Sequence, residues 1–105
     1  MKALLDAADN ETFVSVASLW EIAIKYRLGK LALDMQLEDL PLYCESLLYG
    51  ILPVVTAHAI EDLRDQPSTR DPFDRLLLAQ CQVEGLRLVT TDRALVVHPL
   101  AWRGT

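Results

Sequence analysis

Three carboxylates stand where sequence patterns begin or end rather than inside them. Glu21 follows shortly after a β-branched run, Asp74 sits in the first turn of a long helical pattern, and Asp92 comes directly after an apolar run. In open α/β sheets ligands bind beyond the C-terminal ends of the strands, so three acids from distant parts of the chain could share one site there. Clustered carboxylates without His or Cys ligands suit a hard divalent cation such as Mg²⁺ or Mn²⁺. Such an ion polarises a phosphoryl oxygen and lowers the pKa of a bound water. Each acid also has a local structural role open to it. Ser18-Leu19-Trp20-Glu21 matches a capping box, and Lys25 is a surface partner for Glu21 at i+4. Asp71-Pro72-Phe73-Asp74 has the favoured order for a helix start, and Thr91-Asp92 could open a final turn. Both readings stand at this level.

Other side chains carry weaker signals. The hydroxyls of Ser15, Ser18, Thr90 and Thr91 lie at predicted strand ends, where they could orient a carboxylate or cap a helix. Arg75 follows Asp74 and could neutralise phosphate, although a solvated arginine is the plainer reading. His58 and His98 are 40 positions apart without ligand spacing, and Trp20 interleaves with apolar helix positions as a core residue would. Cys44 and Cys81 fall inside apolar helical patterns with no CxxC spacing, which reads as buried free thiols in a reducing compartment.

The elements that must position these groups alternate between strand and helix. Residues 2 to 9 read as a short helix, with Leu4, Leu5 and Ala8 apolar. Thr12 to Val16 then has strand composition, and from Ala17 the period becomes helical until Gly29. A linking segment, Ala32 to Gln36, precedes a second helix around Leu40 to Leu48, with Pro41 near its start and Gly50 after its end. Ile51 to Val55 reads as a strand, and Thr56 as the cap of a helix from Ala57 to about Asp65. A loop over 66–70 leads to the long helix from Pro72 to Gly85, a third strand over 86–90 and a short turn over 92–97. Three strands among five helices imply an α/β domain with a mostly parallel sheet.

Composition bounds what such a domain does. The 105 residues allow one domain, read as spanning 1–105, with 51% hydrophobic residues for its core. Ten basic side chains against 15 acidic ones give a net charge of −5, so no general attraction to nucleic acid is expected unless a bound cation mediates it. No apolar run approaches the roughly 18 residues of a membrane span, and the N-terminus lacks a signal-peptide core, which points to a cytoplasmic protein with no membrane partner.

Two longer motifs go further. Val14 to Lys25 followed by Leu28-Gly29-Lys30-Leu31 resembles PIN-domain proteins of the VapC toxin type, as do Leu52-Pro53-Val54, His58-Ala59, Asp71 to Gln80 and Leu88 to Asp92. The resemblance implies a three-layer α/β/α sandwich and a Mg²⁺- or Mn²⁺-dependent endoribonuclease. It also implies a VapB-type antitoxin that occludes the site, and a homodimer. By the same resemblance Glu21, Asp74 and Asp92 match acids of the metal site, with Asp71 beside them and Ser15 and Thr90 as nearby hydroxyls. The family's first strand ends in an Asp well upstream of the Trp-Glu motif. Leu4-Leu5-Asp6 copies those letters, but only 15 positions separate Asp6 from Glu21, so that strand and its Asp are expected to be missing. The alternative implied is a non-catalytic remnant that binds an antitoxin or self-associates.

Overall fold

The computed structural model describes residues 3–7 and 11–103. Four strands form one sheet: β1 (Ala3–Asp6), β2 (Thr12–Ser15), β3 (Gly50–Leu52) and β4 (Arg87–Thr90), in the spatial order β3-β2-β1-β4. The α-helices are α1 (Val16–Arg27), α2 (Leu40–Ser46), α3 (Thr56–Ile60) and α4 (Pro72–Glu84), with one 3₁₀ turn over Leu37–Asp39. The α/β class expected from alternation is the class observed. None of the helices is long and apolar enough to cross a membrane among the described residues.

The first element departs from expectation. Residues 3–6 form a strand, not part of a helix, and the rest of the predicted 2–9 helix, apart from Ala7, lies outside the described residues. The sheet accordingly has four strands rather than three. β1 fills the centre of the sheet, paired antiparallel to β2 through Leu5↔Phe13 and Asp6↔Thr12 and antiparallel to β4 through Ala3↔Thr90 to Asp6↔Arg87. β2 and β3 pair in parallel, so β2, β3 and β4 all run one way and β1 alone runs against them. Alanine and leucine favour a helix locally. Between β2 and β4, however, two rows of backbone N–H and C=O groups need partners, and only an extended segment satisfies both.

Side-chain alternation along the strands builds two cores, one per sheet face. Leu5 and Leu88, with Phe13 and Leu52, pack against Leu77, Leu78 and Cys81 of α4. Val14, with Leu4 and Ile51, packs against Leu40 and Cys44 of α2 and Leu19 and Ile22 of α1. Helices thus cover both faces, giving the three layers. At the outer edge of β4 the tail adds a parallel bridge, Leu88 N–H donating to Leu100 O at 2.9 Å and Trp102 N–H to Leu88 O at 2.8 Å. The opposite edge, β3, is only three residues long, which limits pairing with other chains.

Helix boundaries shift for identifiable reasons. The cap of α1 is Ser15, whose hydroxyl accepts from Ala17 N–H at 3.0 Å, so the helix starts before Ser18 and no capping box forms there. Val55, not Thr56, precedes the first residue of α3, and that helix ends at Ile60. Asp71 caps α4 through Phe73 N–H at 2.9 Å with Pro72 next, as its sequence indicates. Gly85 ends α4 in the left-handed region at φ 70°, where a side chain would be strained.

Candidate functional site

The parallel strands β2, β3 and β4 direct their C-terminal ends to one side of the sheet, and a cavity of about 820 Å³ opens there. Glu21 from α1, Asp74 from α4 and Asp92 from the turn after β4 all line it, together with Ser18, Thr90 and Thr91. Three acids separated by up to 71 positions therefore share one wall system. Apolar side chains share the lining, among them Leu31, Met35, Leu40, Tyr43, Cys44 and Leu47. Asp34 also lines the cavity, from a segment whose sequence reads only as a linker. Nothing in its spacing marks it.

Each carboxylate is held by its own neighbourhood. Glu21 lies 3.4 Å from Lys25 Nζ, the i+4 pair anticipated from spacing. Asp74 is 7% exposed, and its Oδ2 accepts from the Thr69 hydroxyl at 3.2 Å. Asp92 Oδ1 accepts from Ala94 N–H at 2.9 Å, while its own N–H donates to Thr90 Oγ1 at 3.0 Å. These contacts aim the acids without neutralising them all. Among the described residues the lining carries four carboxylates and one cationic side chain, Lys25.

The donor set is all hard oxygen, the chemistry a Mg²⁺ or Mn²⁺ ion prefers. The spacing does not make a closed cage. Among the described residues no three His, Cys, Asp or Glu side chains come together closely enough to hold a metal ion. What the residues fit is an ion held by one or two carboxylates, with water completing its shell, the usual habit of Mg²⁺.

The remaining candidates sit outside the cavity lining. Ser15 is buried and donates to Gln80 Oε1 at 2.5 Å besides capping α1. Asp71 is the α4 cap, and Arg75 donates to Gln66 Oε1. Asp6, at the end of β1, pairs with the starts of β2 and β4 and accepts from the Thr12 hydroxyl at 3.2 Å, so it lies at the opposite end of the sheet from the cavity. Both histidines are buried. His58 Nδ1 accepts from Val55 N–H and Nε2 donates to Glu84 at 2.7 Å, while His98 Nδ1 accepts from Leu100 N–H and Nε2 donates to Asp65 O at 2.6 Å. Trp20, read as core, is 60% exposed.

Sequence reasoning missed Gln80. Its amide is fully buried, and it bonds Ser15, the Pro53 carbonyl at 3.2 Å and His58 Nδ1 at 3.4 Å, tying the starts of α1 and α3 to α4. A glutamine in register with buried leucines is the one signal that could have exposed it. Both thiols are free and buried, as expected, and burial pushes Cys81 up to about 12 and Cys44 upward too. Neither is a thiolate at neutral pH.

A family model described as PIN domain matches residues 1–98. No curated protein and no solved structure matches the chain.

Proposed function

The chain belongs to the PIN-domain family, and from that premise we propose that it is a VapC-like toxin of a type II toxin–antitoxin system, a Mg²⁺- or Mn²⁺-dependent endoribonuclease. The fold is of the nuclease type. One observation supports the catalytic reading above the rest: Glu21, Asp74 and Asp92, from three separate elements, line a single cavity at the C-terminal ends of the strands. A divalent ion held by these carboxylates would supply Lewis-acid activation of a phosphoryl oxygen and of water, the chemistry of RNA hydrolysis without a covalent intermediate. The chain's part is to hold and orient. Asp74, buried and fixed by Thr69, and Asp92, fixed by its turn, are the side chains we assign to the ion, with Glu21 beside them. Lys25 holds the Glu21 carboxylate in a 3.4 Å ion pair along α1. A VapB-type antitoxin covering the opening, and a homodimer, complete the proposal.

Purified full-length chain, incubated with single-stranded RNA in Mg²⁺, tests it. Asp74→Ala is expected to lower hydrolysis by about 100-fold or more, because even the outer partners of metal ligands cost roughly 10- to 100-fold. Equal cutting by wild type and variant ends the catalytic reading.

A second reading is favoured by one observation, that among the described residues no three acids lie close enough together to hold a metal ion, although they share the cavity. It is a non-catalytic PIN remnant that captures an antitoxin or self-associates through exposed side chains around α2, such as Leu42, Leu47 and Leu48. Calorimetry showing no Mn²⁺ uptake by a chain that dimerises or binds an antitoxin peptide would select it.

A further inference from the structure

Gln80 is fully buried in α4, and both ends of its amide are engaged. Its partners fix which end is which. The Pro53 carbonyl can only accept, so the NH₂ group faces it at 3.2 Å and the amide oxygen faces the Ser15 hydroxyl, which donates at 2.5 Å. His58 Nδ1 takes the second amide hydrogen at 3.4 Å and also receives Val55 N–H at 3.1 Å. That nitrogen therefore carries no proton, and the ring proton lies on Nε2, toward Glu84 at 2.7 Å. All donations run one way: Ala17 N–H to Ser15, Ser15 to Gln80, Gln80 to His58, and His58 to the Glu84 carboxylate. In such a series each bond polarises the next, and turning one member round sets acceptor against acceptor at Pro53.

None of Ser15, His58 and Gln80 lines the carboxylate cavity. The Ser15–Gln80 bond nevertheless joins the cap of α1, which carries Glu21, to the middle of α4, which carries Asp74. Glu21 lies six positions along α1 from Ser15, and Asp74 six positions along α4 from Gln80, about 9 Å of helix in each case. A helix is rigid over that length, so a shift of one cap against the other helix moves one acid against the other. We infer that Gln80 is a positioning residue: its amide sets the start of α1 against α4, and with it the separation of Glu21 from Asp74, while His58 keeps the amide in the orientation that does so. The inference rests on the ribonuclease reading only for what the two acids then do.

Hydrogen exchange on the metal-free full chain tests the contact, and Mn²⁺ binding with RNA hydrolysis tests its effect. Gln80→Met keeps the volume and removes the bonds. The Ala17 amide is then expected to exchange about tenfold faster relative to amides of β4, because the hydroxyl that holds it has lost its own acceptor. Mn²⁺ affinity by calorimetry and kcat on single-stranded RNA should each fall about tenfold with KM little changed, as for groups that orient metal ligands. Leu63→Ala, a core truncation off the cavity lining, should lower the urea midpoint and move neither. If Gln80→Met does not fold, two changes at His58 carry the same test. His58→Asn returns an acceptor to the amide and should keep native values, whereas His58→Leu cannot and should reproduce the losses. Native exchange at Ala17 in the folded Gln80→Met or His58→Leu chain overturns the inference, and so do losses that Leu63→Ala matches at equal destabilisation. The two claims fail separately. Faster exchange at Ala17 in a chain whose wild type neither binds Mn²⁺ nor cuts RNA keeps the role of Gln80 and removes the ribonuclease reading, whereas native exchange with Asp74→Ala inactive removes the role of Gln80 alone.

Discussion

Ser15 was open to two readings, and it takes one of them together with a third role. Its hydroxyl was eligible as a helix cap or as a group near the acids. It caps α1, and it also donates to Gln80, whose buried amide would otherwise lack a partner for its oxygen. Thr90 keeps both of its roles, lining the cavity and accepting from Asp92 N–H. Local spacing marked the caps at Asp71 and the Glu21–Lys25 pair correctly, because those contacts are made within one helical turn. It misread Trp20, 60% exposed with Phe73 at its ring, because whether an apolar helix position is covered depends on what the next element brings against it. Cys81 yields a quantitative expectation. Its thiol rises from 9.0 to about 12 in the folded chain because burial penalises the thiolate. Above pH 9 the unfolded chain therefore releases a proton that the native chain keeps, and stability falls by about 1.4 kcal/mol per pH unit between pH 9 and the folded pKa. Below pH 9 this group contributes no slope. Urea midpoints measured from pH 8 to 10.5 should show the decline, and Cys81→Ala, although less stable throughout, should lose that part of the slope.

Among the elements, β1 decides most. Its sequence copies the strand-ending Asp of the family pattern, and its four residues do form an interior strand, yet one antiparallel to both of its neighbours. Reversal sends Asp6 to the far end of the sheet and brings Leu4 to the cavity instead. A central strand paired on both sides and buried on both faces is a sensitive place for a cavity mutation. Leu5, 1% exposed in the core against α4, should cost about 2–5 kcal/mol as Leu5→Ala, read as a lower denaturant midpoint at unchanged slope. A loss under about 1 kcal/mol would mean that β1 does not hold the middle of the sheet. α1 and α4 do the complementary work of presentation, each carrying one acid inward from its first turns, with the Ser15–Gln80 bond between them.

For the molecule as a whole, the charge of −5 and the four carboxylates on one cavity set the condition for any encounter with RNA. Phosphate is repelled until cations are bound, so EDTA is expected to abolish hydrolysis, and Mg²⁺ or Mn²⁺ should restore it where NaCl of equal ionic strength does not. Activity that persists in the chelator would remove the metal from the proposal.

By itself the sequence determined the α/β class, most helices, the Asp71 cap, the Glu21–Lys25 pair and the buried free thiols, since all of these follow from periodicity and short-range contacts. The direction of β1, the fate of Asp6, the Gln80 network, the inclusion of Asp34 and the exposure of Trp20 were decided only by tertiary structure. The reason is common to all five. Each depends on which backbone or side-chain groups lie opposite a residue across the sheet or between helices, and groups so distant along the chain leave no trace in its local pattern.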